Sequence, residues 1–441
     1  MKVGFVSLGC PKNLLDTEVM LHELMQAGHV ITPDEAEADV IVINTCAFIE
    51  SAKQESIDTI LEIARLKEDN LKGIVVTGCL AERYRDDILK ELPEVDAVVG
   101  VGSVHEIAKA VDSIGKSDEK FCSCLPADQV ALGGDRIITT PEYYSYLKIS
   151  EGCDNRCTYC AIPNIRGRFR SRPMDDLIAE AKTLEELGVK ELCIIAQDTT
   201  RYGQDLYGEY SLYKLLQRLT AETNIPWFRL LYCYPDKFPD ELIAEIRDND
   251  RIVKYIDLPL QHISDKVLKR MNRKGNGETI RSVIGKLRRE IPGIVIRTTF
   301  IVGFPGETEE DFEELCDFVH ETRFDKLGVF TYSREEGTPA YDLPDQIDEQ
   351  VKMDRMDIIM RDQMEINESL NAEKLGKTVE VLYEDFDTVS QTHFGRTAAD
   401  APDIDGKVYF KLRKKKTLTP GDFIKVRITE VLDYDLYGVL E

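Results

Sequence analysis

The sequence predicts an α/β protein of three domains: an N-terminal domain built on a parallel sheet, a central partial (β/α)6 barrel, and a small C-terminal β-barrel. Apolar strands alternate with helical periodicity in the first third, the alternation resumes for six units in the middle, and short strands separated by turn residues end the chain. The 441 residues, 43% of them hydrophobic, suffice for several buried cores. The expected boundaries are 1–114, a linker at 115–138, 139–370 and 371–441.

The N-terminal domain is predicted to carry a cysteine after each of three strands. The strands are Lys2–Ser7, Val40–Asn44 and Gly73–Thr77, separated by helices at Leu14–Ala27 and Ser51–Leu66. Cys10, Cys46 and Cys79 follow these strands, and the carboxyl ends of parallel strands share one edge of the sheet, where ligands bind. Three thiolates at one point form a soft site for an iron–sulfur cluster or zinc. Structural zinc takes four ligands and no fourth is evident, so a cluster with an open position is favoured over zinc and over three ordinary buried cysteines.

The central domain is predicted as six strand–helix units, which indicates an open or partial barrel rather than the full eight-fold barrel. Its strands are Ser145–Ser150, Glu191–Ala196, Phe228–Cys233, Tyr255–Leu260, Val295–Val302 and Leu327–Tyr332. Helices such as Asp175–Leu187 and Asp311–Glu321 separate them. Cys193, Cys233 and Cys316 lie inside these elements and are predicted to be core residues.

A loop with three cysteines follows the first central strand. Cys153, Cys157 and Cys160 are separated by three and then two residues, which places three thiols on one tight loop. The pair Cys157 and Cys160 alone would be compatible with a redox or zinc site. The third thiol at this spacing favours an iron–sulfur cluster, in which three protein ligands leave one iron a coordination position for a small molecule.

Polar residues also end other central strands, at the edge where barrel-like folds build their active sites. Gln197 and Gln261 follow the second and fourth strands, and the glycine-rich segment 303–308 follows the fifth. Thr308 and Asp311 are expected to form a helix capping box, which does not exclude ligand contact by the same segment.

A basic run comes just after the cysteine loop and consists of Arg166, Arg168, Arg170 and Arg172. Two interpretations remain open. The run contacts a carboxylate or phosphate of a ligand, or it pairs with acids of the chain itself.

The C-terminal domain is predicted as a small barrel of a kind that often binds RNA. Its strands are Val379–Tyr383, Lys407–Leu412 and Phe423–Val431. The basic run 413–416 favours RNA binding, whereas nearby aspartates dilute its charge. These are Asp385, Asp387, Asp400, Asp403, Asp405, Asp433 and Asp435.

The net charge of −25 argues against a protein that holds nucleic acid mainly by neutralising phosphates, and it favours a basic partner. No apolar stretch is long enough to span a membrane. The apolar segment before Cys10 is too short for a signal peptide, so a cytoplasmic location is expected. The 11 cysteines should then be mostly reduced, and Cys122 and Cys124, in the linker, are expected to be ordinary thiols.

The cysteine loop at Cys153, Cys157 and Cys160 resembles the signature of the radical S-adenosylmethionine superfamily, in which it binds a 4Fe–4S cluster. The three N-terminal cysteines match those of the additional cluster in the methylthiotransferase family, and the C-terminal part resembles the TRAM domain of that family. Four segments resemble the branch that modifies ribosomal protein S twelve of the small subunit: 7–13 (SLGCPKN), 44–50 (NTCAFIE), 163–172 (PNIRGRFRSR) and 196–200 (AQDTT).

The resemblance implies an enzyme that adds a methylthio group to the β-carbon of an aspartate of protein S twelve, with two 4Fe–4S clusters and S-adenosylmethionine as cofactors. A deoxyadenosyl radical would remove hydrogen from that carbon, and the second cluster would carry the sulfur. The residues implied for the S-adenosylmethionine pocket are Tyr159, Gly303, Pro305 and Gly306 and, on a less specific resemblance, Gln197, Gln261 and Arg297.

Two other functions remain open from the sequence. The first is a tRNA methylthiotransferase that acts on an adenosine, which the basic run 413–416 favours. The second is a non-enzymatic iron–sulfur or zinc protein that binds RNA or senses redox state. The leading interpretation further implies an electron donor such as flavodoxin or ferredoxin, no membrane partner and a monomeric chain.

Overall fold

The computed structural model describes residues 1–116, 119–130, 132–236, 238–412 and 417–441. Its α/β architecture confirms the predicted fold class, with an N-terminal parallel sheet, an open central sheet of six parallel strands and a closed C-terminal barrel. In the described parts of the chain, no helix is both long and apolar enough to cross a bilayer.

The N-terminal domain is a six-stranded parallel sheet with helices on both faces. Its strands are β1 (Lys2–Ser7), β2 (Val30–Ile31), β3 (Val40–Thr45), β4 (Gly73–Gly78), β5 (Ala97–Val99) and β6 (Phe121–Ser123). Its helices are α1 (Pro11–Gln26), α2 (Glu50–Ala64), α3 (Cys79–Arg83), α4 (Arg85–Glu91) and α5 (Ile107–Ser113). Every residue of β3 and β4 is buried, because both faces of the sheet are covered.

The strand order is β2-β1-β3-β4-β5-β6. Strand β6 lies within the segment that the sequence indicated as a linker, and it pairs in parallel with β5. Three residues are too few for a strand period to be visible in the sequence. The N-terminal sheet therefore extends to Ser123.

The central domain adds its parallel strands in chain order, as a barrel does. They are β7 (Tyr144–Lys148), β10 (Glu191–Ile195), β11 (Trp227–Leu230), β12 (Ile252–Asp257), β13 (Val295–Val302) and β14 (Lys326–Thr331); the short pair β8 (Ser150–Glu151) and β9 (Arg170–Ser171) forms a separate ribbon. The helices are α6 (Ile162–Arg166), α7 (Met174–Glu186), α8 (Gln204–Tyr207), α9 (Leu212–Glu222), α10 (Asp240–Asp248), α11 (Asp265–Arg270), α12 (Gly277–Glu290), α13 (Glu309–Thr322) and α14 (Glu349–Ala372). Within the described residues β7 and β14 do not pair, so the predicted open barrel is confirmed.

The two faces of this central sheet have different partners. One face packs against the helices of its own domain, with Leu147 and Phe228 in that core. The other face carries Tyr146, Cys193 and Tyr255, which pack with side chains from both flanking domains. The N-terminal and C-terminal domains therefore meet on one face of the barrel sheet. Cys193 and Cys233 are buried, as predicted, and Cys316 is half-buried.

The C-terminal domain is a closed five-stranded barrel. Its strands are β15 (Thr378–Asp387), β16 (Thr392–Arg396), β17 (Val408–Lys411), β18 (Phe423–Leu432) and β19 (Asp435–Leu440), in the order β15-β16-β17-β19-β18. The sequence predicted three of these strands and missed β16 and β19. The basic run 413–416 lies outside the described residues.

Aspartates of the C-terminal barrel dock it onto the central sheet. Tyr144 Oη donates to Asp403 at 2.7 Å, and Lys326 Nζ lies 2.7 Å from Asp400 Oδ1. Asp405 accepts from Tyr255 Oη at 2.7 Å. The sequence indicated only that these aspartates dilute the charge of the basic run. The structure instead uses them as contacts between domains.

A buried charge network completes this interface. Glu191 accepts from Arg229 Nε at 2.6 Å and lies 2.8 Å from Arg396 Nη1, while Arg396 Nε donates to Glu384 at 2.5 Å. All four side chains are buried. Charges removed from water need this complete pairing, because an unpaired one is costly.

We expect Arg396→Met to destabilise the chain by roughly 3–5 kcal/mol, since it leaves buried carboxylates without their cation. Urea unfolding measures the loss, and limited proteolysis is expected to release the C-terminal barrel faster. Arg427→Met, on the exposed side of β18, is the matched control and should change little. Equal unfolding midpoints for the two variants would contradict the role of the network.

Candidate active site

The three N-terminal cysteines lie where strands end and helices begin. Cys10 precedes α1, Cys46 follows β3 directly, and Cys79 is the first residue of α3. Gly78 has a φ of +90°, and a Cβ at this position would overlap Asn44 Oδ1. Only glycine allows the loops that carry Cys46 and Cys79 to approach so closely.

The three thiols share one microenvironment. The pKa of Cys79 is raised to about 12, chiefly by burial and also by the neighbouring Cys10 and Cys46 thiols, while Arg166 opposes the rise. Burial also raises the pKa of Cys46, with a contribution from Cys10. A set of three adjacent sulfur donors beside one buried cation fits a soft metal cluster, which replaces the protons and holds the thiolates.

Asn13 ties these loops together. Its Nδ2 donates to the carbonyl of Thr45 at 2.8 Å, and its Oδ1 accepts from Arg166 Nη2 at 2.6 Å. The Cys79 thiol lies 3.6 Å from the same Oδ1. Sequence reasoning gave Asn13 no role, although its place three residues after Cys10 was a visible signal.

The second cysteine set lies on the loop after β8. Gly152 enters this loop with a φ of +76°, and a Cβ there would overlap the carbonyl oxygen of Arg168. The pKa of Cys153 is raised to about 12, chiefly by burial and with a contribution from the Cys157 thiol. Burial likewise raises the pKa of Cys160, again with Cys157 as a neighbour.

The structure therefore brings the six predicted cysteines together as two separate sets of three soft donors. Among the described residues, no group of three or more His, Cys, Asp or Glu side chains has the geometry to hold a metal ion. Their sulfur donors fit an iron–sulfur cluster. Cys46, Cys79 and Cys157 are buried, Cys153 and Cys160 are half-buried, and Cys10 is exposed.

The residues implied for the S-adenosylmethionine pocket fall into two groups. In the first, the ring of Tyr159 contacts Phe304 edge-on at 6.5 Å, which places the cysteine loop beside the glycine-rich segment. Gly303 lies against Lys352 and Gly306 against Arg270, with Pro305 between them. The predicted capping box of Thr308 and Asp311 is present at the start of α13.

In the second group, two glutamines offer free acceptors. Gln197 Nε2 donates to Glu151 at 2.6 Å, while the Oε1 atoms of Gln197 and Gln261 are buried and have no partner among the described residues. Buried polar atoms without partners are uncommon and indicate a missing ligand or water. Arg297 already pairs with Asp257 at 2.9 Å and lies 3.7 Å from Asp405, so it has less to offer a ligand.

A buried charge quartet joins the two cysteine sets. Arg166 lies 2.8 Å from Asp16 on α1 and 3.1 Å from Glu151 on β8. Lys148 lies 3.0 Å from Asp16 and 2.8 Å from Glu151. Although burial alone would raise the pKa of Glu151, Lys148 and Arg166 hold it at about 2. The quartet is neutral overall and fixes α1 against the start of the second cysteine loop.

The basic run thus pairs mainly with acids of the chain, as one of its two interpretations predicted. Besides Arg166, Arg172 lies 2.6 Å from Glu180, and the exposed Arg168 lies 2.7 Å from Asp154.

Three protein families match along the chain. Residues 2–100 match the family described as Uncharacterized protein family UPF0004, residues 147–319 match the Radical SAM superfamily, and residues 375–440 match the TRAM domain. The three matches follow the three structural domains and the predicted resemblance.

Curated relatives match over nearly the full length. Two proteins named Ribosomal protein uS12 methylthiotransferase RimO, from Acetivibrio thermocellus and Thermoanaerobacter sp. (strain X514), are 51% and 52% identical to the chain, and each match covers 99% of it. The matches cover 98% and 99% of these relatives.

Among solved structures, the radical S-adenosylmethionine methyltransferase TsrM from Kitasatospora setae, with cobalamin and a [4Fe-4S] cluster bound, superposes with a TM-score of 0.57 at 18% identity. The match covers 77% of this chain and 76% of TsrM, and at this identity it shows the fold alone. The curated relatives at about half identity show the family. The chain belongs to the radical S-adenosylmethionine methylthiotransferases, in the group of the ribosomal protein uS12 methylthiotransferases.

Proposed function

We propose that this chain transfers a methylthio group to the β-carbon of an aspartate in ribosomal protein uS12 by radical S-adenosylmethionine chemistry. The observation that carries the proposal is the pair of three-cysteine sites that the buried charge quartet holds side by side. One cluster site would suffice to generate the radical, whereas sulfur transfer needs a nearby second site that supplies the sulfur.

We assign Cys153, Cys157 and Cys160 to the 4Fe–4S cluster of the radical superfamily, and Cys10, Cys46 and Cys79 to a second 4Fe–4S cluster. When bound, these groups supply the reductive cleavage of S-adenosylmethionine and the sulfur. The protein orients the reactants and keeps water out. No acidic proton has to be removed from an aspartate β-carbon, so a general base would not help.

The cofactor pocket is proposed to lie between Tyr159 and the segment 303–306. Arg273 Nη1 donates a hydrogen bond to the Tyr159 hydroxyl at 3.2 Å, which holds the ring in place for stacking on an adenine. Gln197 and Gln261 would direct their unpaired carbonyl oxygens at donor groups of the cofactor, such as its amino groups.

The substrate assignment is supported by charge as well as by the named relatives. A chain of net charge −25 attracts a basic ribosomal protein and speeds its encounter. We further propose that the enzyme acts as a monomer in the cytoplasm and receives electrons from a small donor protein such as flavodoxin or ferredoxin.

The two cysteine sets should separate the two halves of the reaction. Cys79→Ala is expected to hold about half of the iron and sulfide, to cleave S-adenosylmethionine and to transfer no methylthio group. Cys157→Ala should lose the cleavage itself. Iron analysis, chromatography of deoxyadenosine and mass spectrometry of the substrate measure the three quantities in anaerobically reconstituted protein.

Cys122→Ala is the matched control, since Cys122 is exposed and belongs to neither set. It should behave as the wild type. Full iron content together with methylthio transfer in Cys79→Ala would remove that residue from the second site.

Substrate choice is tested by offering the reduced holoenzyme either protein uS12 or unmodified tRNA. We expect the gain of one methylthio group on an aspartate of the protein and no change in the tRNA, because the acidic chain repels a polyanion. If only the tRNA gained a methylthio group, the proposed reaction type would stand and the proposed protein substrate would be wrong.

A further inference from the structure

Lys12 is a buried cation without a carboxylate at ion-pair distance among the described residues. It lies on the first turn of α1, two residues after Cys10, and its side chain is 6% exposed. Its Nζ sits 2.9 Å from the centroid of the Tyr232 ring. Within the described residues, no carboxylate lies at ion-pair distance and no hydrogen bond leaves Nζ. A ring face offsets only part of the cost of removing an ammonium from water.

The neighbouring cations differ from Lys12 in this respect. Arg166 and Lys148 share the carboxylates of the quartet. Arg297 has Asp257. Arg273 donates to Tyr159 Oη and, at 2.7 Å, to the carbonyl of Pro259. Among these cations, Lys12 is the one without a direct carboxylate or carbonyl partner in the described structure.

A short chain of contacts links Lys12 to the second cysteine set. Tyr232, beneath its ammonium, is followed two residues later by Tyr234, whose ring lies 4.4 Å from the Arg273 guanidinium. Arg273 Nη1 lies 4.0 Å from the Cys157 thiol. One short segment after β11 thus connects the surroundings of Cys10 with those of Cys157.

The backbone of Tyr232 is fixed in an unusual conformation by a hydrogen bond. Tyr232 has a φ of +59°, a conformation that a bulky residue rarely adopts outside strained functional positions. Its N–H donates to Asp257 Oδ2 at 3.0 Å, and Asp257 is fixed in turn by Arg297. This chain of contacts gives Lys12 a defined position and direction.

We propose that Lys12 binds the side-chain carboxylate of the substrate aspartate and so holds its β-carbon between the two cysteine sets. The inference rests on the proposed function. The carboxylate is one bond from the carbon that reacts, and it enters a site from which water is excluded, so it needs a cation there. Its charge does not change during the reaction, which makes Lys12 a residue of binding, positioning and selectivity for aspartate over asparagine.

The test compares holoenzyme variants with two substrates: protein uS12 and the same protein with its target aspartate replaced by asparagine. Wild type should prefer the aspartate form, in binding measured by fluorescence anisotropy and in methylthio transfer. Lys12→Gln should weaken binding of the aspartate form about ten- to a hundredfold and lose the preference. Lys12→Arg keeps the charge and should keep the preference, and Lys109→Gln, exposed on α5, is the control.

The outcomes distinguish a failure of the proposed function from a failure of the proposed role of Lys12. Absence of any methylthio product on the protein with wild-type enzyme would refute the proposed function. Normal transfer by wild type, combined with an undiminished preference for aspartate in Lys12→Gln, would refute the role of Lys12 alone. Iron content and S-adenosylmethionine cleavage are measured in each variant. Because anisotropy reports binding without turnover, the preference can be scored even if Lys12→Gln loses a cluster.

Discussion

The arrangement of this protein depends on one buried set of charges, formed by Asp16, Lys148, Glu151 and Arg166. Two cations and two carboxylates alternate, and every one of them is buried. Such a network contributes little net stability, because desolvation offsets most of the attraction between its members. Its effect is geometric. Glu151 directly precedes the glycine that enters the second cysteine loop, whereas Asp16 belongs to the helix that starts at the first cysteine, so each loop is fixed relative to the other.

Two parallel sheets make this arrangement possible. Each presents the carboxyl ends of its strands on one edge, and each places its cysteines there. The N-terminal and C-terminal domains both pack on the same face of the central sheet, where Tyr146 and Cys193 lie. That face is therefore covered by protein rather than by water.

Local patterns in the sequence predicted much of this structure. Lys2–Ser7 and Val295–Val302 form strands with the predicted bounds, because each is a short apolar run between clear turn signals. The cysteines could be placed at a shared edge, since the order of strands and helices requires it. Two strands of the C-terminal barrel escaped notice. One of them, Thr392–Arg396, contains His393 and Gly395 and has no apolar alternation.

Long-range pairing was beyond the sequence. Nothing in the periodicity around Arg166 shows that its partner is Asp16, and the aspartates of the C-terminal barrel could equally have faced solvent. The same holds for Lys12, whose ammonium meets Tyr232 only after three elements have packed together. Side-chain partners across domains follow from tertiary packing, whereas strand and helix positions follow from local preference.

The most direct test of this account replaces Arg166 by lysine, which keeps the charge but cannot bridge Asp16, Asn13 and Glu151 at once. The measured quantity is the ratio of deoxyadenosine released to methylthio groups transferred, at known iron content, with the exposed Arg168→Lys as the control. The account predicts that the ratio rises in Arg166→Lys and stays at the wild-type value in Arg168→Lys. An unchanged ratio in Arg166→Lys would show that the quartet does not hold the two sites in register.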